Sequence, residues 1–435
     1  MVLKLDTSQN GFAEDFAGLL TMKREASVDV NATVADIVGD VKARGDTALI
    51  EYTVKFDGFD VDAGTLAVSE QEIEQAIREC DDTVLEALEF AKARIETYHE
   101  RQKPHNDRFA AGEGIELGHK WTAVEAAGLY VPGGLASYPS SVLMNAVPAI
   151  VAGVKRLVMV MPTPGGRLNP AVLAAAKLAG VSEIYRIGGA QAIAALAYGT
   201  DTIRPVVKIV GPGNAYVAAA KRQVFGIVGI DMIAGPSEVL VVADKNNDPA
   251  WIAADLLAQA EHDTAAQSIL ISDNQAFITA VESEVERQLE SLPKRDVAAK
   301  SWADYGTVIL VDTLHAAIPL IDQLAPEHLE LACENAEQLA QKITNAGAIF
   351  IGRHTPEAIG DYVAGPNHVL PTARSARFSS GLNVLDFMKR TSVLKCSSDG
   401  LHHLASNAII LAKSEGLEAH ARSIAIRINS QQDTE

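Results

Sequence analysis

The sequence is poor in cysteine and in aromatic residues. Its 435 residues include three cysteines, Cys80, Cys333 and Cys396, which stand far apart and form no CxxC pair. Such isolated thiols are typical of reduced cysteines in a cytosolic protein. Aromatic residues make up 5% of the chain, and this composition suits packed α/β layers better than a β-sandwich or a nucleic-acid platform.

Positive charge and long apolar runs are also in short supply. The formal net charge is −19, and a strongly acidic surface disfavours binding to DNA, RNA or anionic membranes, although backbone N–H groups could still bind a small anionic cofactor. No run reaches the ~18 apolar residues of a membrane span. The first residues, MVLKLDTSQNGFAEDF, lack a basic segment followed by an apolar run, so we expect no signal peptide and a cytoplasmic location.

Alternating strand and helix patterns fill most of the chain after residue 125. Short loops separate buried apolar runs such as AAGLYV and VVKIVG from helical runs such as AYVAAAKRQV. This alternation is typical of βαβ units around a parallel sheet. A second series of the same kind starts at SEVLVVAD and continues to AIFIG, with no linker rich in Pro, Ser or charge before it. We therefore expect two α/β domains with parallel sheets.

The two ends of the chain lack this alternation. Residues 1–25 are a short, polar segment that we expect to form an arm. Residues 28–118 show the periodicity of apolar residues that is typical of helices. After residue 384, two helical patterns with no strand of their own predict a helical tail. Because so short a tail has little core, it must pack on the body of the protein or on a partner subunit.

Two polar pairs are candidates for chemistry. In the helix predicted over 249–262, Gln259 and His262 stand three residues apart, so their side chains would share one face and could bind one metal ion. Glu327 and His328 are adjacent in LAPEHLELA and could share general acid/base work. On spacing alone, a solvated helix end and an exposed charged pair after a proline turn are the more common explanations.

Further polar candidates lie toward the C-terminus. In HTPEAIGDYVAGPNH a Thr-Pro pair can start a short helix, Asp361 near its end is a plausible hard metal ligand, and His368 follows in a loop. In the tail, His420 borders an apolar stripe, and Glu415 precedes it by five residues. Taken singly, such residues are more often solvent-facing or located in an interface.

The dinucleotide fingerprint GxGxxG is missing. Four glycine-bearing strand–helix junctions are present instead: YVPGG, MPTPGG, RIGGAQ and IVGPGN. Loops of this kind let the backbone approach a pyrophosphate at a helix N-terminus, but they are also ordinary turns in any parallel sheet. From the loops alone, dinucleotide binding stays open.

Taken in order, these segments resemble the histidinol dehydrogenase family over about residues 28–428. The matching strings are GLYVPGG (128–134), GGAQAIAALA (188–197), GPGN (211–214), AGPSEVL (234–240), AQAEHD (258–263), PEHLEL (326–331), AGPNHVLPT (364–372) and EGLEAH (415–420). Each string is weak alone, but their joint order and spacing are highly specific.

The resemblance implies a role for each candidate residue. Zinc would be held by four side chains, the last donated by a neighbouring subunit: Gln259, His262, Asp361 and His420. Glu327 and His328 would be the acid/base pair. The substrate would contact the metal ligands and four other residues: Ser237, His328, His368 and Glu415. NAD would contact three residues: Tyr130, Gln191 and Asn214.

The implied reaction is the oxidation of L-histidinol through L-histidinal to L-histidine with two NAD. The implied architecture has two Rossmann-like α/β domains. One, of residues 26–126 and 241–383, would carry the metal and catalytic residues, and the other, 127–240, would bind NAD. Residues 1–25 would be the arm, and 384–435 the helical tail exchanged within a homodimer.

Three other functions remain as rivals. An aldehyde dehydrogenase would use a cysteine nucleophile, which needs a lowered thiol pKa and an orienting partner; neither Cys333 nor Cys396 has such a setting in the sequence. A sister enzyme on the same scaffold could act on another amino alcohol or a diol. A metal-binding or scaffolding protein would not need the intact Glu327-His328 pair.

Overall fold

The computed structural model describes residues 2–22, 30–133, 138–233 and 235–429. Residues 23–25 of the expected arm, and the motif residues Gly134 and Ala234, lie outside this part of the chain. The chain divides into two compact units. The first comprises Met1–Gln102 and Glu125–Phe387, and the second comprises Lys103–Val124 and Met388–Glu435.

Within the described residues, the strands in chain order are β1 (Leu3–Asp6), β2 (Asp107–Ala110), β3 (Ile115–Ala123), β4 (Ala126–Tyr130), β5 (Arg156–Val160), β6 (Glu183–Tyr185), β7 (Lys208–Val210), β8 (Gly229–Ile230), β9 (Glu238–Ala243), β10 (Gln267–Ser272), β11 (Thr307–Leu310), β12 (His328–Ala332), β13 (Ala348–Ile351) and β14 (Met388–Cys396).

The α-helices of the same residues are α1 (Phe12–Thr21), α2 (Asn31–Arg44), α3 (Asp46–Asp57), α4 (Glu70–Glu79), α5 (Asp82–Glu100), α6 (Pro139–Ala152), α7 (Pro170–Leu178), α8 (Gly189–Tyr198), α9 (Ala215–Val224), α10 (Pro249–Ala260), α11 (Gln275–Leu289), α12 (Arg295–Tyr305), α13 (Ile318–Leu324), α14 (Ala336–Ala340), α15 (Glu357–Tyr362), α16 (Ser398–Ser414) and α17 (Glu418–Asn429). None of these helices combines the length and the apolar composition needed to cross a membrane.

Two parallel sheets form the centre of the first unit. Sheet A has six strands in the order β1-β11-β10-β9-β12-β13, and sheet B has five in the order β6-β5-β4-β7-β8. Every pairing in both sheets is parallel. The predicted α/β class with parallel sheets is confirmed, while the boundaries of the two expected domains stay predictions.

The central strands of sheet A, β9, β10 and β12, are buried along their whole length because both of their faces are covered. Along β9, Leu240 and Val242 pack into one apolar cluster, whereas Val239 and Val241 pack into another. Since successive side chains of a strand point to opposite faces, this alternation buries the entire strand. The run EVLVVA therefore reads as continuous rather than alternating hydrophobicity.

The N-terminal segment is part of sheet A. Residues 3–6 form its edge strand, β1, in which Leu3 pairs in parallel register with Thr307 and Leu5 is buried. The expected arm thus contributes an ordered strand, followed by helix α1. Four residues of mixed polarity carry too little pattern for a strand to be predicted from them.

The second unit contains a sheet that the sequence patterns missed. Its three strands run in the order β14-β3-β2 and are antiparallel. The helical assignment of residues up to 118 and the strand-free tail are therefore wrong. The predicted tail helices themselves are confirmed as α16 and α17, which pack against each other. Several apolar side chains of this unit are exposed: Leu394, Ile410, Leu411 and Ile426.

Candidate active site

A cavity of about 220 Å³ lies in the first unit, between the ends of strands from both sheets. Ser237 and Glu327, which precede β9 and β12, line it at the amino ends of these two strands of sheet A. Pro132 and Pro212, which follow β4 and β7, line it at the carboxyl ends of these two strands of sheet B. Because β4 and β7 lie at the point where the strand order of sheet B reverses, this edge is the usual ligand crevice of an open parallel sheet.

His328, the first residue of β12, presents one basic nitrogen to this cavity. Its Nδ1 lies 3.0 Å from the backbone oxygen of Glu238, so Nδ1 carries the proton and donates it to that carbonyl. Its Nε2 then keeps a lone pair, and this nitrogen is buried with no hydrogen-bond partner. Burial lowers the pKa of His328 to about 3. The ring is therefore neutral, and Nε2 is available to accept a proton.

Glu327 is buried beside this ring. Its Oε2 accepts a hydrogen bond from the backbone N–H of Glu238 at 2.9 Å and lies 3.7 Å from Nδ1 of His328. One backbone segment, at residue 238, thus holds both side chains, because its N–H binds the carboxylate and its carbonyl binds the imidazole. The strand pairing of β12 with β9 brings these partners together, which the adjacency of Glu327 and His328 in the sequence does not reveal.

Gln259 and His262 differ in their surroundings. Helix α10 starts as predicted, with Asp248 as N-cap and Pro249 in its first turn, but it ends at Ala260. The predicted helix over 249–262 is therefore two residues too long, and His262 lies in the following turn, where it is exposed and lines the cavity. Gln259 is fully buried, and neither its Oε1 nor its Nε2 has a hydrogen-bond partner.

Asp361 lies in the short helix that the sequence predicted. Helix α15 spans Glu357–Tyr362, and burial raises the pKa of Asp361 to about 7. Its Oδ1 is 3.8 Å from Nε2 of His328. Donor atoms of Asp361, His328 and Glu357 all lie within 4.8 Å of one another, a grouping that could hold a metal ion. Glu357 is not among the residues predicted from the sequence, although its spacing of four residues from Asp361 on a helix is a signal for it.

His368 is held from both sides of its ring. Its Nδ1 lies 2.9 Å from the backbone oxygen of Asp361, and its Nε2 lies 3.1 Å from Oγ of Ser141. The carbonyl can only accept, so Nδ1 carries the proton and the serine hydroxyl donates to Nε2. Burial lowers the pKa of His368 to about 4. The ring is thus a neutral group at the wall of the cavity.

The three residues expected to contact NAD end or follow strands β4, β6 and β7 of sheet B. Tyr130 ends β4, and its hydroxyl accepts a hydrogen bond from the N–H of Gly189 at 3.1 Å. Gln191 in α8 is buried, with its Oε1 unpartnered. Asn214 caps α9 through its side chain. Gly211, with φ 111°, lets the chain pass so near Tyr130 that a Cβ there would lie 2.1 Å from its backbone oxygen.

The last two expected residues belong to the second unit. Glu415 is the C-cap residue that follows α16, and His420 lies in the first turn of α17. Both side chains are exposed. The part of Glu415 and His420 in the site stays a prediction.

The fold and the site together define an α/β enzyme with a neutral, proton-accepting imidazole beside side chains that suit a metal ion. The family model of histidinol dehydrogenase matches residues 20–428, and the chain therefore belongs to the histidinol dehydrogenase family, whose members are NAD-dependent oxidoreductases.

Named relatives agree with this assignment. The chain is 64% identical over 429 residues to a histidinol dehydrogenase of Mesorhizobium japonicum, covering 99% of this chain and 100% of that protein. It is also 64% identical to a histidinol dehydrogenase of Rhizobium meliloti, with 99% of each chain covered. A crystal structure of histidinol dehydrogenase from Elizabethkingia anophelis, 36% identical, superposes with a TM-score of 0.94 and 99% coverage of both chains.

Proposed function

We propose that the protein oxidises L-histidinol to L-histidine through L-histidinal, at a zinc site, with two molecules of NAD⁺. The observation that carries this proposal is the single basic nitrogen of His328, held over the cavity by the backbone at residue 238. Alcohol oxidation needs a base at the hydroxyl, and a neutral, buried imidazole with one free lone pair suits that task.

The donor groups of the expected ligands suit a zinc ion, and two of them, His262 and Asp361, line the cavity. Gln259 offers an amide oxygen without a protein partner, His262 an exposed imidazole, and Asp361 a buried carboxylate. A buried amide whose polar atoms are all unpartnered is costly unless a ligand pairs with it. We therefore assign these three side chains to the metal, with His420 as the fourth. When bound, zinc supplies positive charge that orients the imidazole and amine of the substrate.

His328 and Glu327 divide the proton work. In the first half-reaction, Nε2 of His328 accepts the hydroxyl proton of histidinol as the carbinol hydride leaves for NAD⁺, giving the aldehyde. In the second, Glu327 removes a proton from water, the resulting hydroxyl adds to the aldehyde carbon, and the hydrate passes a second hydride to another NAD⁺. The carboxylic acid formed in this step then releases its proton to solvent and becomes the carboxylate. Ser237 and His368, together with Glu415, would hold the polar groups of the substrate during both steps.

NAD⁺ is the hydride acceptor, and we place it at the carboxyl edge of sheet B. This assignment uses Tyr130, Gln191 and Asn214, which end or follow strands at that edge. Glycines in the neighbouring loops leave the backbone N–H groups of α8 and α9 accessible to phosphate oxygens. The unpartnered Oε1 of buried Gln191 is the acceptor that a bound ligand would satisfy.

The working form is proposed to be a cytoplasmic homodimer in which His420 and Glu415 complete the site of the other copy. The exposed apolar side chains of α16 and α17, among them Leu411 and Ile426, are the surface that a second copy would cover. Co-expression of His262→Asn with His420→Asn tests this arrangement. A mixed dimer then contains one intact site, so activity returns. If the mixture stays as inactive as either parent, each subunit uses its own His420.

The overall reaction is tested by NADH formation from L-histidinol. We expect two NADH per histidinol, loss of activity with a chelator and recovery with Zn²⁺. Another amino alcohol that is oxidised faster than histidinol would indicate a sister enzyme. A cysteine-dependent mechanism is disfavoured because Cys333 is buried away from this cavity and burial raises its thiol pKa to about 11. Thiol alkylation should accordingly leave turnover intact.

A further inference from the structure

Glu357 is a buried acidic residue that has no role in the metal site, the proton transfers or the NAD site proposed above. It opens helix α15 and is 2% exposed. One of its oxygens, Oε2, is buried and has no hydrogen-bond partner. Its backbone N–H donates to the carboxylate of Glu330, which is itself buried, so this hydrogen bond brings in another acid rather than a base.

An ionised carboxylate in this position destabilises the folded protein unless a cation neutralises it. Burying an unpaired charge costs several kcal/mol even after relaxation, and a negative neighbour, Asp361, increases the cost. Within the described residues, no Lys or Arg forms an ion pair with Glu357. The fold nevertheless keeps the carboxylate where its donor oxygen lies within 4.8 Å of donor atoms of His328 and Asp361.

The spacing of these atoms suits a shared ion. Zinc binds oxygen and nitrogen at about 2.0–2.2 Å, so two donors on one ion lie at most ~4.4 Å apart. A cluster within 4.8 Å therefore needs only small side-chain movements to close around a metal. Glu357 and Asp361 stand four residues apart on α15, which places both on the same face of the helix.

We propose that Glu357 is a further carboxylate of the metal centre and supplies its second negative charge. The inference rests on the metal site proposed above. In that ligand set, Asp361 alone is anionic, which leaves one positive charge of Zn²⁺ uncompensated in a buried place. Glu357 balances it. With Glu357 as a further carboxylate, the ion does not need Nε2 of His328, and this nitrogen stays available for the proton.

Metal affinity of the apoprotein tests this role without recourse to turnover. Zn²⁺ is titrated in competition with a chromophoric chelator into wild type, Glu357→Gln, Asp361→Asn and Asp255→Asn. Asp255 is the matched control because it is an acid of α10 that interacts with Glu330 but lies outside the metal cluster. We expect Glu357→Gln to bind Zn²⁺ about 10–100-fold more weakly, Asp361→Asn to lose binding and Asp255→Asn to bind as wild type does.

Thermal unfolding adds a second readout of zinc binding. Zn²⁺ should raise the melting temperature of Glu357→Gln less than that of wild type, because a more weakly bound ion stabilises the folded state less. If Glu357→Gln does not fold, Glu357→Met, apolar and similar in volume, takes its place in both measurements.

The outcomes separate this inference from the proposed function. A folded Glu357 variant that binds Zn²⁺ as tightly as wild type, while Asp361→Asn does not, overturns the role of Glu357 and leaves the metal site standing. If Asp361→Asn also binds as wild type does, the proposed metal site itself is wrong. Equal weakening in Asp255→Asn and Glu357→Gln would show a general effect of buried charge and would likewise overturn the inference.

Discussion

Replacing His328 by Asn separates its proton-accepting role from a metal-binding one. The asparagine amide can place an N–H where Nδ1 now donates to the carbonyl of Glu238 at 3.0 Å. It places no basic atom at the position of Nε2. The variant therefore keeps the contact that anchors residue 328 to β9 and removes only the lone pair that faces the cavity.

The size of the effect follows from the role of that lone pair. A positioned general base contributes roughly 10²–10⁴ in rate, which corresponds to about 2.7–5.4 kcal/mol of transition-state stabilisation. We expect kcat for histidinol to fall by this factor. We expect KM to change little, because Nε2 acts on the reacting hydroxyl. Stability should change by less than about 1 kcal/mol, since one neutral hydrogen bond is replaced by another.

The assay is NADH formation from histidinol, together with zinc affinity measured on the same preparations. The reasoning would be refuted if His328→Asn turned over within a few-fold of wild type. Loss of zinc binding in His328→Asn would also refute the role of His328 as a base, because Nε2 would then be a metal ligand. His262→Asn provides the contrast, since it should lose zinc and activity together.

Three further variants test other parts of the structure. Glu327→Gln should slow aldehyde oxidation more than alcohol oxidation, so the NADH yield falls from two toward one per histidinol; equal slowing of both steps would contradict the role of Glu327. Ser141→Ala removes the hydroxyl that lies 3.1 Å from Nε2 of His368 and should raise KM about 5–10-fold, the value of one hydrogen bond, with kcat nearly constant; an unchanged KM would count against it. His99 is buried, its Nδ1 bonds the backbone oxygen of Ile95 at 2.7 Å, and burial lowers its pKa below 6.5. Below pH ~6.5 the unfolded chain therefore binds a proton at His99 that the folded chain does not bind. On acidification, the free energy of unfolding of wild type should fall by up to about 1.4 kcal/mol per pH unit more than that of His99→Leu. If the melting temperatures of the two proteins fall equally from neutral to acidic pH, His99 makes no such contribution.

The parallel sheets were predictable because local pattern and burial agree. Runs such as EVLVVA and QSILIS are rich in Val, Leu and Ile, and every residue of both strands is buried. The strands of the second unit were not predictable in this way. Most residues of β14 are exposed, and its pairing partner Ala123 is more than two hundred residues away from Met388. A strand defined by such a distant partner has no local signal.

The site was predictable as a set of residues but not as a geometry. The spacing of Gln259 and His262 suggested one helix face, yet α10 ends at Ala260 because Asp263 starts a turn, accepting from the N–H groups of Ala265 and Ala266. The protonated nitrogens of His328 and His368 depend on backbone carbonyls that the fold brings to them. Glu357 could not be predicted from the sequence as readily as the others, because one glutamate in the first turn of a helix is usually solvated.

The two sheets present opposite ends to the cavity, and their loops account for the division of labour that we propose. The carboxyl-edge loops of sheet B contain glycines that allow close backbone approach, such as Gly133 and Gly211, and a nucleotide phosphate needs this approach to reach helix N-termini. The loop after β9 in sheet A, Asp244–Asp248, contains no glycine, and the side chain of Asp248 already caps α10. Sheet A instead contributes side chains at its amino ends, where Glu327 and His328 are held by β9. A cofactor bound by backbone and a substrate bound by side chains can then meet in one cavity.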